Sequence, residues 1–168
     1  MKIRAAALVA SVALQLPIAG AHAQQAVILV RHAELQGAAM ANPKNVPLSD
    51  AGKARAQRLA DTLKDAGVAA IYVTDFVRTN QTAQPLSHDL DRPLTVVPKG
   101  DPQELVERLR KSHTGQTVLL VGHTDTLPGL IKALGYPSEI KIESQDYGNL
   151  FVVVPKAGGA PGLLRLRY

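Results

Sequence analysis

The chain has no cysteine and no tryptophan, and only two phenylalanines and four tyrosines among its 168 residues. Lack of cysteine excludes a disulfide framework, a thiolate nucleophile and a thiolate metal site. With so few aromatics, the core must be built from Leu, Val, Ile and Ala. No cluster of Lys and Arg is interleaved with aromatic residues, which argues against a dedicated nucleic-acid surface. The chain has no apolar run of the roughly 20 residues that a spanning helix needs, so no stable membrane anchor is expected. Internal repeats and low-complexity tracts are also lacking.

The longest apolar run, Ala5 to Leu16, follows Lys2 and Arg4 and precedes Pro17 and a small-residue stretch ending Ala21-His22-Ala23. A positive n-region, a short h-region and an A-x-A site make up a secretory signal peptide, with cleavage expected after Ala23. The domain expectation is therefore a cleavable segment, 1–23, followed by one folded unit, 24–168, in the periplasm or outside the cell. Loss of Lys2 and Arg4 lowers the formal net charge from +5 to +3, so the remaining chain is only mildly basic. Its length suits one core and is too short for two ordinary domains.

Within that unit, four consecutive apolar residues, Val27 to Val30, run directly into Arg31 and His32. Val118 to Val121 similarly leads through Gly122 to His123, and Ala70 to Val73 leads to Arg78. In open parallel sheets, ligands bind beyond the carboxyl ends of the strands, where polar side chains converge. Two histidines and two arginines far apart in sequence are thus expected on one sheet edge. Guanidinium forks suit a tetrahedral dianion, and an imidazole suits attack on its central atom. Adjacent strand residues face opposite ways, so Arg31 and His32 can share a pocket only if the strand has ended between them. Ala33 and Gly122 are read as small residues that let the chain turn and approach the anion.

Between these segments the pattern alternates strands with helices. LSDAGKARAQRLADTLKDAG opens a helix at Ser49 or Asp50, with Ala51, Ala56, Leu59, Ala60 and Leu63 as its apolar stripe and Gly67 as a left-handed stop. A helix including Arg78 runs toward Ser87, Leu94 to Val97 is a short strand, and Asp101, Pro102 and Glu104 form a helix start. Leu127 to Leu134 is the next helix, and Leu150 to Val154 with Leu163 to Leu166 forms a terminal hairpin. The expected fold is a single-domain three-layer α/β sandwich with a mainly parallel sheet, helices on both faces and a C-terminal antiparallel hairpin.

Four elements in this order resemble the histidine phosphatase superfamily, which includes phosphoglycerate mutases and acid phosphatases. Arg31-His32-Ala33 stands where the family has Arg-His-Gly at the end of an apolar strand. LSDAGKARAQRLADTL is similar to its Leu-Thr-x-x-Gly helix. YVTDFVRTNQTA resembles its Ser-x-x-x-Arg-x-x-x-Thr-Ala segment, with Thr74 in the Ser position and Arg78 as the second arginine. VGHTDTLP resembles the segment carrying the second histidine, and a weaker similarity extends through DYGNLFVVV. The short stretch from Ala83 to Val118 points to the compact branch of small phosphohistidine and periplasmic sugar-phosphate phosphatases.

The resemblance implies that His32 attacks phosphorus and becomes a phosphohistidine that water later hydrolyses. Arg31, Arg78 and His123 would hold the phosphoryl oxygens, with no cofactor and no metal. His32 must be neutral to attack, so a hydrogen bond fixing its other ring nitrogen is expected. The proton donor is open: Asp125 ranks first, with Asp101, Glu104 and Glu34 as alternatives. Asp101 and Glu104 are also explained as a capping box, and Asp125 as a cap for the helix near Thr126. His88 and His113 read as residues at helix ends, Asp146 and Tyr147 as turn formers, and Arg108, Arg110 and Lys111 as a solvated face.

The function expected is hydrolysis of a phosphorylated small molecule, glycan or phosphohistidine. Its alternative is a phosphate-binding module of the same fold without turnover. A metal-dependent hydrolase using His32 and His123 is disfavoured, since the arginines would repel a cation. The partner is a phosphorylated substrate; oligomeric state is not legible.

Overall fold

The computed structural model describes residues 25–37 and 42–168. The expected signal segment lies outside these residues, apart from which no helix described is long and apolar enough to cross a membrane.

Six strands form one sheet in the order β3-β2-β4-β1-β5-β6. They are β1 (Ala26–Arg31), β2 (Val68–Thr74), β3 (Leu94–Val97), β4 (Thr117–Gly122), β5 (Asn149–Val154) and β6 (Gly162–Arg167). β1 lies at the centre, parallel to β4 and antiparallel to β5, with Arg31 opposite Gly122. β2 pairs in parallel with β4 and β3, while β5 and β6 form the expected antiparallel hairpin.

Four helices cover the sheet: α1 (Asp50–Leu63), α2 (Val77–Asp89), α3 (Pro102–Ser112) and α4 (Leu127–Ala133). The period of two in β1 divides the core between its faces. Val27 and Leu29 pack with Val106 and Leu109 of α3 and with Leu127 and Ile131 of α4. Ile28 and Val30 pack with Leu59 and Leu63 of α1 and with Ala83 and Leu86 of α2. The result is the three-layer arrangement that the alternation predicts. Because β1 is buried on both sides, truncating Leu29 to alanine would cost about 2–5 kcal/mol.

Helix boundaries follow local chemistry. Ser49 caps α1 by accepting from the Gly52 N–H at 3.1 Å, and Asp101 caps α3 by accepting from Gln103 N–H at 2.8 Å. Glu104 makes no return bond to the cap among the described residues, so the α3 start is a simple cap rather than the expected capping box. Gly67 stops the first helix region at φ +64°. The α1 stripe differs at one place from the expected one: Ala51 is exposed, and Gly52 is buried in its stead. A Cβ at Gly52 would lie 2.2 Å from the Glu34 carbonyl oxygen, so only glycine lets the helix start against the segment that follows His32.

Candidate active site

β1 ends at Arg31, and the chain turns there, so the strand-face objection is resolved in the way the sequence required. The His32 N–H still donates to the Gly122 carbonyl at 3.0 Å, tying the turn to the end of β4. Thr82, fully buried on α2, accepts from Ala33 N–H at 2.9 Å while donating to the Arg78 carbonyl at 2.7 Å. One threonine thereby links the backbone beside His32 to the backbone of Arg78.

The four residues nominated by the strand ends meet at this carboxyl edge. The rings of His32 and His123 are 5.3 Å apart, and Arg78 Nη2 lies 3.4 Å from His123 Nδ1. Arg31, His32 and His123 are buried, whereas Arg78 is partly open. Two small residues at these turns also have a packing reason. Ala33 is enclosed by Leu48 and Ala56, so its size reflects packing under the turn. A Cβ at Gly122 would lie 3.0 Å from both Leu127 Cδ2 and Thr126 Oγ1, so this glycine accommodates the start of α4.

Hydrogen bonds set the tautomers of both imidazoles. His32 Nδ1 is 2.9 Å from the Ala33 carbonyl, an obligate acceptor, so Nδ1 carries the proton and Nε2 keeps its lone pair. This is the partner that the sequence reading called for without naming. Desolvation by burial, with the charges of Arg78 and Arg31, lowers the His32 pKa to about 3. In His123, Nδ1 faces the Arg78 donor, leaving Nε2–H to donate to Thr74 Oγ1 at 2.8 Å. Desolvation and the charge of Arg78 lower the His123 pKa to about 4. At neutral pH both rings are uncharged.

The two arginines are mounted alike. Arg31 Nη1 donates to the Ser144 carbonyl at 2.6 Å, and Arg78 Nη1 to the Pro43 carbonyl at 2.8 Å. In both, Nε is buried and has no acceptor among the described residues. Such donors normally find a partner, because leaving one unpaired costs about 1–3 kcal/mol. At the cationic centre each arginine therefore keeps an N–H donor that no acceptor among the described residues takes. Lys44–Asp75 and Lys99–Asp125 ion pairs stand near it.

The candidate proton donors are mostly engaged elsewhere. Burial raises the Asp125 carboxyl, but Lys99, 2.5 Å away, outweighs this and holds it below the usual carboxylate range. Asp125 does not cap α4, whose N-cap is Thr126. Glu34 meets Arg55 in a fork with bonds of 2.6–2.9 Å, which holds its pKa down. Asp101 is occupied as the α3 cap, and Glu104 is exposed in the first turn of that helix. No group of three or more His, Asp or Glu suited to a metal occurs among the described residues.

Of the residues read as bystanders, His88 is exposed and His113 bonds Tyr72 and Gln116. Arg108, Arg110 and Lys111 are exposed as expected. Asp146 does fix a turn, through ion pairs with Arg165 and Arg167. Tyr147 departs from that reading: its ring lies 4.0 Å from Arg31 Cζ and 6.1 Å from the His32 ring. Thr74, legible in the sequence only through the family resemblance, holds His123. Phe76, stacked 4.2 Å from Arg78 Cζ, had no sequence signal beyond its place between Thr74 and Arg78.

The sequence model for the histidine phosphatase superfamily (branch 1) matches residues 27–99, which contain Arg31, His32 and Arg78. Over those residues the sequence is similar to that family. Among solved structures, this chain is similar in fold to the protein histidine phosphatase SixA complexed with tungstate, with a TM-score of 0.70 and 21% identity over 84% of this chain and 96% of that one. It is also similar to phosphoserine phosphatase from Entamoeba histolytica in complex with 3-phosphoglyceric acid, with a TM-score of 0.64 and 16% identity over 82% and 94%. A mycobacterial glucosyl-3-phosphoglycerate phosphatase gives a TM-score of 0.60 and 16% identity over 77% and 89%. No curated protein matches the chain.

Proposed function

We propose that this chain is a phosphatase that works through a phosphohistidine on His32. The observation that carries the reading is the bond from His32 Nδ1–H to the Ala33 carbonyl, which leaves Nε2 as a neutral nucleophile beside Arg31, Arg78 and His123. Nε2 donates its lone pair to phosphorus as the bond to the leaving group breaks, and the leaving group departs with that electron pair and takes up a proton. Water then attacks phosphorus, the P–N bond breaks, and phosphate leaves while His32 regains its lone pair. Arg31 and Arg78 stabilise charge on the phosphoryl oxygens throughout, and no metal is required. The tungstate in the SixA structure supports the reading, because tungstate is a tetrahedral oxyanion like phosphate.

The engaged state of Asp125, Glu34 and Asp101 favours leaving groups that depart with little help from an enzyme acid. An aryl oxide or the protonated imidazole of a phosphohistidine meets that requirement. The n-region, h-region and A-x-A site support export to the periplasm or beyond, with cleavage after Ala23.

Rapid acid-sensitive trapping with a ³²P-labelled aryl phosphate tests the chemistry. Acid-labile label is expected on His32 and is expected to vanish in His32→Ala, which retains phosphate binding through its arginines. Label on His88 or His113, or undiminished turnover in His32→Ala, overturns the reading. Binding without turnover or label in the wild type would favour the non-catalytic module.

A further inference from the structure

We propose that Tyr147 is a positioning residue for Arg31, acting through the face of its ring, and that the C-terminal hairpin anchors the turn that presents it. The inference rests on the reading of this site as a phosphoryl-binding centre.

The two arginines match in three respects. An aromatic ring lies on the guanidinium face, Tyr147 at 4.0 Å from Arg31 Cζ and Phe76 at 4.2 Å from Arg78 Cζ. A backbone carbonyl takes Nη1, and a buried Nε is left without an acceptor among the described residues. This repetition is notable in a chain with only four tyrosines and two phenylalanines. A ring face fixes the plane of a guanidinium without using any of its N–H donors, whereas a carboxylate would occupy them and cancel the charge. The arrangement therefore aligns the cation and leaves its free edge for an oxyanion.

For Arg31 the device is built by one turn. Ser144 supplies the carbonyl and Tyr147 the ring, with Asp146 N–H bonded to the Glu143 carbonyl at 3.0 Å between them. Asp146 is gripped by Arg165 and Arg167 of β6, and Arg165 Nε also reaches Asn149 Oδ1 at 2.7 Å. The hairpin beside β1 thus holds the turn, and the turn holds the arginine adjacent to His32. An Arg31 free to rotate would have to be ordered when the anion binds, which weakens binding and misaligns charge in the transition state.

The test measures tungstate and inorganic phosphate binding by calorimetry in wild type, Tyr147→Leu and Tyr147→Phe, with thermal unfolding and aryl phosphate kinetics on the same samples. Tyr147→Leu is expected to weaken tungstate about tenfold and to lower kcat more than it raises KM, at an unchanged unfolding midpoint. Tyr147→Phe keeps the ring face and is expected to restore affinity to within about twofold of wild type. If Phe loses as much as Leu, the hydroxyl acts and the ring-face proposal is overturned; wild-type affinity in Leu overturns it too. Should Tyr147→Leu fail to fold, Asp146→Asn loosens the same turn with the ring in place. It is expected to weaken tungstate, and unchanged affinity there overturns the proposal. A wild type that binds neither anion would instead defeat the phosphatase reading itself.

Discussion

Thr74 Oγ1 accepts the Nε2–H of His123 at 2.8 Å, and this single bond decides which nitrogen His123 turns toward Arg78 and the centre of the site. The nitrogen so presented is unprotonated, an acceptor where an anion needs a donor. An incoming dianion reverses that preference, because a negative charge close by favours the imidazolium.

Binding should therefore take up protons. Sulfate is a suitable tetrahedral dianion because it does not titrate near neutrality. Calorimetry at pH 6 in buffers of different ionisation enthalpy is expected to show uptake approaching one proton on His123, whose pKa in the free protein is about 4. His123→Gln should abolish it. A binding enthalpy independent of buffer would mean that the arginines hold the anion while His123 stays neutral.

The same lowered pKa values govern acid stability. His32 at about 3 and His123 at about 4 lie below the ordinary histidine value, so the unfolded chain binds more protons than the folded one as pH falls from about 6.5. Their contribution is complete above that value and is lost on acidification, at up to about 1.4 kcal/mol per pH unit for each ring. The lowered carboxylates Glu34 and Asp125 act in the same direction but only below their own ordinary values, so the range from pH 6.5 to 4.5 reports chiefly the histidines. Urea unfolding across that range should show stability declining with pH, and His123→Asn should flatten the decline. A flat wild-type profile would mean that the rings are charged in the folded protein.

The strand ends and helix caps were legible because their signals are local. Apolar runs ending in Arg31, His32 and His123 place those residues at the sheet edge, and Ser49 and Asp101 cap the helices they precede. Contacts between segments distant in sequence were not. Nothing near Tyr147 announces that it will cover Arg31, since that contact arises from the pairing of β5 with β1. Gly122 and Ala33 mark their turns in the sequence, but smallness alone does not say which neighbour needs the space. The Ala33 carbonyl as partner of His32 was hidden because a backbone acceptor leaves no mark on residue type.

Gly52 shows how a motif residue acquires its reason from tertiary structure. Alanine is ordinarily better than glycine inside a helix by about 1 kcal/mol. Here its Cβ would lie 2.2 Å from the Glu34 carbonyl oxygen, which also accepts the Ser49 N–H at 2.9 Å. Gly52→Ala should therefore destabilise the protein by about 1–3 kcal/mol through overpacking. It should also lower kcat, because the displaced segment begins two residues after His32. Chemical denaturation and aryl phosphate kinetics check both effects, and a stabilised, fully active variant would refute the close approach.

Asp125 bears on the identity of the leaving group. An aspartate that donates a proton should, on replacement by asparagine, slow alkyl phosphates by roughly 10²- to 10⁴-fold and aryl phosphates far less, because an aryl oxide departs without full protonation. In the structure Lys99 sits 2.5 Å from this carboxylate and holds it ionised, so it has no proton to give near neutrality. The expected result for Asp125→Asn is thus a change within about tenfold for both classes, with no alkyl-selective defect. A selective alkyl loss in Asp125→Asn would make Asp125 the donor and require Lys99 to move away when substrate arrives.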